Sequence, residues 1–132
     1  MPKIDQFVSV GSIVIRCFAY ERTAEFWRAA LRYEVEHEDP NGGFVILCDP
    51  RGVRPNVSID QAQSPRTGKR SWIHLDLYTT DQKNEVARLV DLGASRYPWR
   101  YGPGADYVVL EDPDGNLFCV VEVPEGRYAD DA

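Results

Sequence analysis

Hydrophobic and polar residues alternate in short stretches along the first half of the chain, except in one stretch where the apolar residues are spaced three and four apart. Alternation with many β-branched residues is typical of a strand, whereas apolar residues spaced three and four apart are typical of an amphipathic helix. The pattern predicts, in order, a strand from Ser12 to Phe18, a helix from Arg22 to Leu31, and strands at Tyr33 to Glu38, Phe44 to Cys48 and Pro55 to Asp60. The first half is therefore predicted to be β-α-β-β-β.

The second half repeats this order. A helix is predicted to start after Asp81, whose side chain suits a helix cap, and to end at Gly93. Strands are predicted around it, at Trp72 to Tyr78, Ala94 to Pro98, Asp106 to Glu111 and Leu117 to Val123.

The two halves also share sequence. Phe44 to Gly52 aligns without a gap with Tyr107 to Gly115, apolar residue on apolar residue, and the turn Asp-Pro-x-Gly is identical in both. We therefore predict an α+β fold of tandem βαβββ modules that form a curved sheet around a cleft. The expected organisation is a single domain over 1–132, with module 1 at about 12–60, a linker at 61–70 and module 2 at about 71–123.

Length and charge narrow the class of protein. The chain has 132 residues, the size of one ordinary domain. Its 15 basic and 21 acidic residues give a formal charge of -6, which repels a phosphate backbone, so nucleic acid is not an expected partner.

The apolar runs, the N-terminal segment and the cysteines indicate in which compartment of the cell the protein is expected. No apolar run approaches the roughly 20 residues of a membrane span, so no membrane partner is expected. The N-terminal segment lacks the pattern of a signal peptide, which favours a cytoplasmic protein. The 3 cysteines show no C-x-x-C spacing and are expected to be reduced thiols.

One family resemblance rests mainly on the second half. Trp72 to Tyr78, a helix ending in Asp91-Leu-Gly-Ala, and Glu111 to Glu122 resemble small glyoxalase-like members of the vicinal oxygen chelate superfamily. That superfamily contains glyoxalases, bleomycin-resistance proteins and dioxygenases. The first half matches more loosely, through Ala24-Glu-Phe-Trp and Leu31-Arg-Tyr-Glu-Val. The resemblance implies paired modules around a cleft, a homodimer, and either a divalent metal with an oxygen-rich substrate or a sequestered small molecule.

The resemblance also implies where metal ligands would lie. The family's ligand positions correspond here to Ser12, Asn56, His74 and Cys119, where members with a working metal carry His or Glu. His74 alone is a good ligand for such a metal and Cys119 is a soft one. We therefore expect neither a complete metal site nor a cofactor, and a divalent metal that uses His74 and Cys119 among unusual ligands is the alternative.

Alternation predicts which polar side chains share the cleft face. Arg16 and Asp76 would both point inward, and buried charges need a partner. An internal ion pair between these two residues and direct contact with a ligand are both open. The predicted ligand-binding residues are Ser12, Arg16, Asn56, Ser58, His74, Asp76, Tyr78, Trp99 and Cys119.

Trp99 enters that set for a different reason. The segment from Tyr97 to Tyr101 is rich in aromatic residues and lies beside Gly102-Pro103-Gly104. It would form either a lid that stacks on a flat ligand or a surface that packs on a dimer partner.

The residues and the family resemblance together favour a glyoxalase-like protein that binds a small organic molecule without a complete metal site, and whether it has lyase or isomerase activity stays open. In such chemistry His74 would transfer a proton and Arg16 would stabilise negative charge. Two alternatives stay open. One is a metal-dependent lyase, isomerase or dioxygenase, and the other is a resistance protein that sequesters an antibiotic without chemistry.

Overall fold

Two four-stranded sheets of the same strand order form the scaffold of the described chain. The protein is represented by a computed structural model that describes residues 12–65 and 74–124. The first half contains β1 (Ser12–Cys17), α1 (Tyr20–Leu31), β2 (Glu34–Glu38), β3 (Phe44–Cys48) and β4 (Asn56–Gln61). The second half contains β5 (Leu75–Thr79), α2 (Gln82–Leu92), β6 (Ser95–Arg96), β7 (Tyr107–Glu111) and β8 (Leu117–Glu122).

The strand order is β1-β4-β3-β2 in the first sheet and β5-β8-β7-β6 in the second. In each sheet the first and last strands of the module are parallel neighbours, and the other pairs are antiparallel. The predicted α+β fold of tandem βαβββ modules is confirmed. In the described residues the strands form two sheets, and β1 is not hydrogen-bonded to β5.

The helices cover one face of the sheets and form the core with it. Phe26 and Trp27 of α1 and Leu89 of α2 are buried against alternate residues of the strands. The core is shared between the halves, because the ring of Phe118 on β8 lies 5.0 Å from the ring of Trp27. Within residues 12–65 and 74–124, no helix lies on the opposite face of either sheet.

A turn of the second half joins it to the first half. Asp112 is buried and accepts a hydrogen bond from the Trp27 indole Nε1 at 2.9 Å. Asp114 accepts bonds from the backbone amides of Phe18 and Ala19 at 3.0 and 2.6 Å. Asp114 therefore binds the chain just before α1, and Asp112 binds a side chain within the helix.

This contact explains the one helix boundary that differs clearly from the sequence prediction. Helix α1 begins at Tyr20 and not at Arg22, and its N-cap residue, Ala19, makes no side-chain cap bond. The Asp114 carboxylate accepts hydrogen bonds from the two amides just before the helix and so replaces a side-chain cap from the helix's own segment. The predicted end of α2 at Gly93 is confirmed by a backbone φ of 128° there.

Part of the predicted organisation lies outside the described residues. Trp72, the predicted start of the fifth strand, and positions 66–70 of the predicted linker belong to that part. The proposed division into two modules and a linker thus stays a prediction. Neither helix of the described chain is long and apolar enough to cross a membrane.

The junction gives a stability prediction. We expect Asp112→Ala to lower the free energy of unfolding by about 2–4 kcal/mol, because it leaves buried donors, including the Trp27 indole, without an acceptor. Urea denaturation followed by circular dichroism measures the loss. The matched control is Asp91→Ala on the exposed side of α2, which should change stability by less than about 0.5 kcal/mol. Equal losses in both variants would contradict a structural role for the junction.

Candidate functional site

A cavity of about 470 Å³ opens on the helix-free face of the second sheet. Its walls come from β5, β7 and β8 and from the loop before β7. The lining residues are His74, Asp76, Tyr78, Trp99, Asp106, Tyr107, Val109, Leu117, Phe118, Cys119 and Val121. The cavity is therefore mostly apolar and aromatic, with a few polar groups at one side.

Strand register brings the polar groups together. Asp76 on β5 lies directly opposite Cys119 on the neighbouring parallel strand β8. His74 precedes Asp76 by two residues and so shares its face. The His74 Nε2 atom lies 3.1 Å from Asp76 Oδ1, and one ligand atom from each of the three residues lies within 4.8 Å of the others.

The Cys119 thiol is held in its neutral form. Partial burial, the nearby charge of Asp76 and a hydrogen bond to that carboxylate together raise its pKa to about 11, and burial contributes most. At neutral pH the thiol therefore donates to Asp76. A thiol in this state is a weak nucleophile.

The aromatic side of the cavity is built from the loop that follows β6. Trp99 donates its indole Nε1 hydrogen to the Tyr107 hydroxyl at 3.1 Å. Tyr101 accepts a hydrogen bond from the Val109 backbone amide at 2.8 Å, and its ring lies 5.4 Å from that of Tyr107. These bonds tie the loop to β7, so that Trp99 forms part of the cavity wall.

The remaining predicted site residues lie on the corresponding face of the first sheet. Ser12 and Ser58 are hydrogen-bonded to each other through their Oγ atoms at 2.6 Å. Asn56 donates to Glu36 at 3.3 Å. None of these predicted residues lines the 470 Å³ cavity of the second sheet.

Arg16 also lies on the first sheet, with a partner other than Asp76. Its Nε atom is 3.6 Å from the Asp60 carboxylate, a residue directly opposite it in the β1–β4 register. The Arg16–Asp76 ion pair left open by the sequence is not formed between these described residues, because Asp76 is bonded to His74 and Cys119 instead.

The site includes residues that the sequence prediction omitted. The additional lining residues are Asp106, Tyr107, Val109, Leu117, Phe118 and Val121. Four of the six could have been found from alternation, because Leu117 and Val121 are two residues on either side of Cys119, and Val109 and Tyr107 are the β7 partners of Cys119 and Val121. Asp106 and Phe118 carried no such signal, because Asp106 precedes β7 and Phe118 alternates with Cys119 on β8.

The donor set fits only part of a divalent metal centre. Two of the four family positions, Ser12 and Asn56, are on the first sheet and are hydrogen-bonded there. His74, Asp76 and Cys119 together could hold one borderline ion through nitrogen, oxygen and sulfur. This set differs from the family's four positions, because Asp76 is not one of them. The residues present therefore do not reproduce the family centre.

A larger cavity of about 810 Å³ lies near the end of α1, between that helix, β4 and β5. Three of the arginines that line it have carboxylate partners. Arg32 and Arg88 contact Glu85 at 3.7 and 2.7 Å, and Arg51 contacts Asp49 at 3.4 Å. The smaller cavity is the better candidate site, because it holds the cluster of His74, Asp76 and Cys119.

Solved structures share this fold at low sequence identity. The fosfomycin resistance protein FosX from Mesorhizobium loti aligns with a TM-score of 0.67 and 14% identity over 94% of this chain and 98% of that one. A mutant FosX from Listeria monocytogenes, complexed with Mn(II) and 1S,2S-dihydroxypropylphosphonic acid, gives 0.68 and 14% over 96% and 99%. The bleomycin-binding protein from Streptomyces verticillus, complexed with copper(II)-bleomycin, gives 0.61 and 13% over 89% and 98%.

These neighbours include proteins that hold small molecules, and at such identities the likeness shows the fold alone. Among curated protein sequences none matches the chain. The family comparison is decisive, since the glyoxalase-like domain matches residues 12–121. The chain therefore belongs to the glyoxalase-like domain family, within the vicinal oxygen chelate superfamily that its sequence resembles.

Proposed function

We propose that the protein binds a small organic molecule in the 470 Å³ cavity of the second sheet, without the superfamily's four-ligand metal centre. The observation that supports this most is the cavity itself. Its volume lies within the range of about 300–1,000 Å³ that ligand sites occupy, and its wall combines apolar surface with a few convergent polar groups.

Proton transfer in this cavity would use His74. With its Nε2 hydrogen directed at Asp76, the other ring nitrogen, Nδ1, keeps the lone pair of a neutral imidazole. Asp76 orients the ring and stabilises the imidazolium that forms when Nδ1 accepts a proton. Both side chains are about half exposed, at 50% and 48%, so a bound molecule can reach them.

Cys119 supports this arrangement without taking part in covalent chemistry. Its thiol donates a hydrogen bond to Asp76 and stays protonated at neutral pH, because its pKa is raised to about 11.

A catalytic function and an antibiotic-sequestering function would both use this cavity, but only the catalytic function would need His74. A lyase or isomerase of this type would need the imidazole as a base, whereas a protein that sequesters an antibiotic needs only the wall. The Arg16 guanidinium would stabilise negative charge in a reaction only if a second copy of the chain placed it over the cavity, because Arg16 lies on the first sheet.

A homodimer would provide that second copy. Val14 on β1 is exposed at 56%, and Phe18, which directly follows β1, is exposed at 46%. Burying such apolar side chains against a partner lowers the free energy of the assembly. We propose that two copies cover these side chains and that each cavity is closed by its partner. The cytoplasmic location predicted from the sequence stays a prediction.

Binding can be tested with the neutral apolar dye N-phenyl-1-naphthylamine. We expect one dye per chain, with fluorescence enhancement, because the cavity wall is apolar. Val121→Trp should fill the cavity and weaken binding by about tenfold or more. The matched control, Val90→Trp, changes an exposed residue of α2 outside the cavity and should bind like the wild type. Equal dye affinity in the two variants, or no binding by the wild type, would argue against the proposed site.

The state of Cys119 can be tested by alkylation with iodoacetamide and peptide mass spectrometry. With a pKa of about 11, the reaction should be slow at pH 7 and rise about tenfold per pH unit as the thiolate fraction grows. Asp76→Asn removes a charge and an acceptor that both raise this pKa, so it should accelerate alkylation at pH 8. Asp91→Asn serves as the control and should not change the rate.

The same assay distinguishes the metal-dependent alternative. Treatment with a chelator should leave the alkylation rate of Cys119 unchanged if the thiol is protonated and free of metal. A stoichiometric divalent ion in the purified protein, together with faster alkylation after chelation, would instead assign His74, Asp76 and Cys119 to a metal.

Dimerisation can be measured by light scattering coupled to size exclusion. We expect twice the mass of one chain for the wild type. Val14→Glu places a charge on the proposed interface and should give the monomer, whereas Val53→Glu, at an equally exposed valine in the turn before β4, should stay dimeric. A monomeric wild type would refute the proposed assembly.

A further inference from the structure

We infer that the molecule bound in the 470 Å³ cavity is an organic cation with an aromatic or apolar body, of the arylalkylammonium class. This inference rests on the proposed function and names its ligand class. It follows from the charges that line the cavity and from the aromatic side chains beside them.

The charged lining residues of the cavity are acidic. Asp76 and Asp106 contribute carboxylates, and no lysine or arginine is among the described residues that line the cavity. His74 neutralises part of the Asp76 charge only when it is protonated. The cavity therefore favours a positive ligand and disfavours a carboxylate or phosphonate.

Asp106 is the residue best placed to accept a hydrogen bond from an ammonium group of the ligand. Its backbone carbonyl accepts hydrogen bonds from the Glu122 amide at 2.8 Å and from Gln82 Nε2 at 2.9 Å, which fixes the residue at the head of β7. Within residues 12–65 and 74–124 its carboxylate makes no hydrogen bond or ion pair. The side chain is exposed at the cavity and keeps its acceptor capacity for a ligand.

Aromatic rings supply the second element of cation recognition. Tyr78, Trp99 and Tyr107 line the same cavity, and the bond from the Trp99 indole to the Tyr107 hydroxyl fixes both rings. An ammonium group near such rings is attracted by their negative faces, and an aromatic ligand body stacks on them.

A second copy of the chain would not reverse this charge balance. Among the described residues of β1 to β4, the arginine on the helix-free face of the first sheet is Arg16, and its Nε atom lies 3.6 Å from the Asp60 carboxylate. The face that a partner would bring to the cavity therefore adds an ion pair and not a net positive charge. The chain as a whole is also acidic, with a formal charge of -6.

Three phenyl compounds of similar size test the inference: 2-phenylethylamine as the cation, 2-phenylethanol as the neutral molecule and 3-phenylpropionate as the anion. Their dissociation constants for the full chain are measured by calorimetry at pH 7 and low salt. We expect the cation to bind at least about tenfold more tightly than the anion, with the neutral compound between them. Asp106→Asn should raise the dissociation constant of the cation about fivefold and leave that of the neutral compound unchanged. Asp91→Asn, a surface change on α2, should alter neither.

The outcomes separate the inference from the proposed function. If the neutral compound or the anion binds as tightly as the cation, the cavity is a binding site but its selectivity for cations is wrong. If Asp106→Asn weakens all three compounds equally while its thermal unfolding matches the wild type, Asp106 shapes the cavity and does not recognise charge, which overturns the role given to it. If none of the three compounds binds and the dye does not bind either, the proposed function fails together with the inference.

Discussion

The contact of the Asp112 turn with helix α1 and the residues just before it is the constraint on which the arrangement of the two halves depends. Each half has the same strands and could pack a helix on its own sheet, so repetition alone does not fix how the halves meet. Asp112 binds the Trp27 indole and Asp114 binds the amides of Phe18 and Ala19. A buried carboxylate without donors is costly, so these bonds select one relative placement of the halves. That placement puts Trp27 against Phe118 and leaves the other face of β8 open for Cys119.

The same turn has different uses in the two halves. In the first half Asp49 accepts from the amides of Arg51 and Arg54, which are bonds within its own loop. Its pKa is lowered to about 2, chiefly by the bond from the Arg51 amide. In the second half the equivalent Asp112 closes its own loop through Asn116 and also reaches Trp27. The repeated turn is thus closed by its own hydrogen bonds in both halves, and in the second half it also contacts the first half.

Local patterns predicted the elements well, and distant contacts explain what they missed. The bounds of β3, Phe44–Cys48, are confirmed at both ends, because an apolar run between Gly43 and Asp49-Pro50 can be recognised locally. The start of α1 was placed two residues late, because the capping carboxylate of Asp114 lies 95 residues from Ala19 in the sequence. No window along the chain contains that information.

The candidate site also contains residues that local patterns predict and residues whose place depends on distant contacts. His74, Asp76 and Cys119 could be brought together from alternation and the repeated motif, and the structure places their ligand atoms within 4.8 Å of one another. Arg16 could be placed on an inward face, but its partner depends on which strands are neighbours, and the parallel β1–β4 register gives Asp60. Asp106 lies where a loop becomes a strand, and only the folded chain shows that it lines the cavity.

The residues at the family's metal positions change the electrostatics of the cavity as well as its ligands. A divalent ion supplies strong positive charge and so stabilises anionic groups in a substrate or intermediate. Here the corresponding place holds a neutral thiol and an imidazole, and Asp76 lies beside both. Negative charge at this point stabilises a protonated imidazole or a cationic ligand instead. Under the proposed function, the cavity therefore recognises its ligand through acidic and aromatic side chains and not through a four-ligand metal centre.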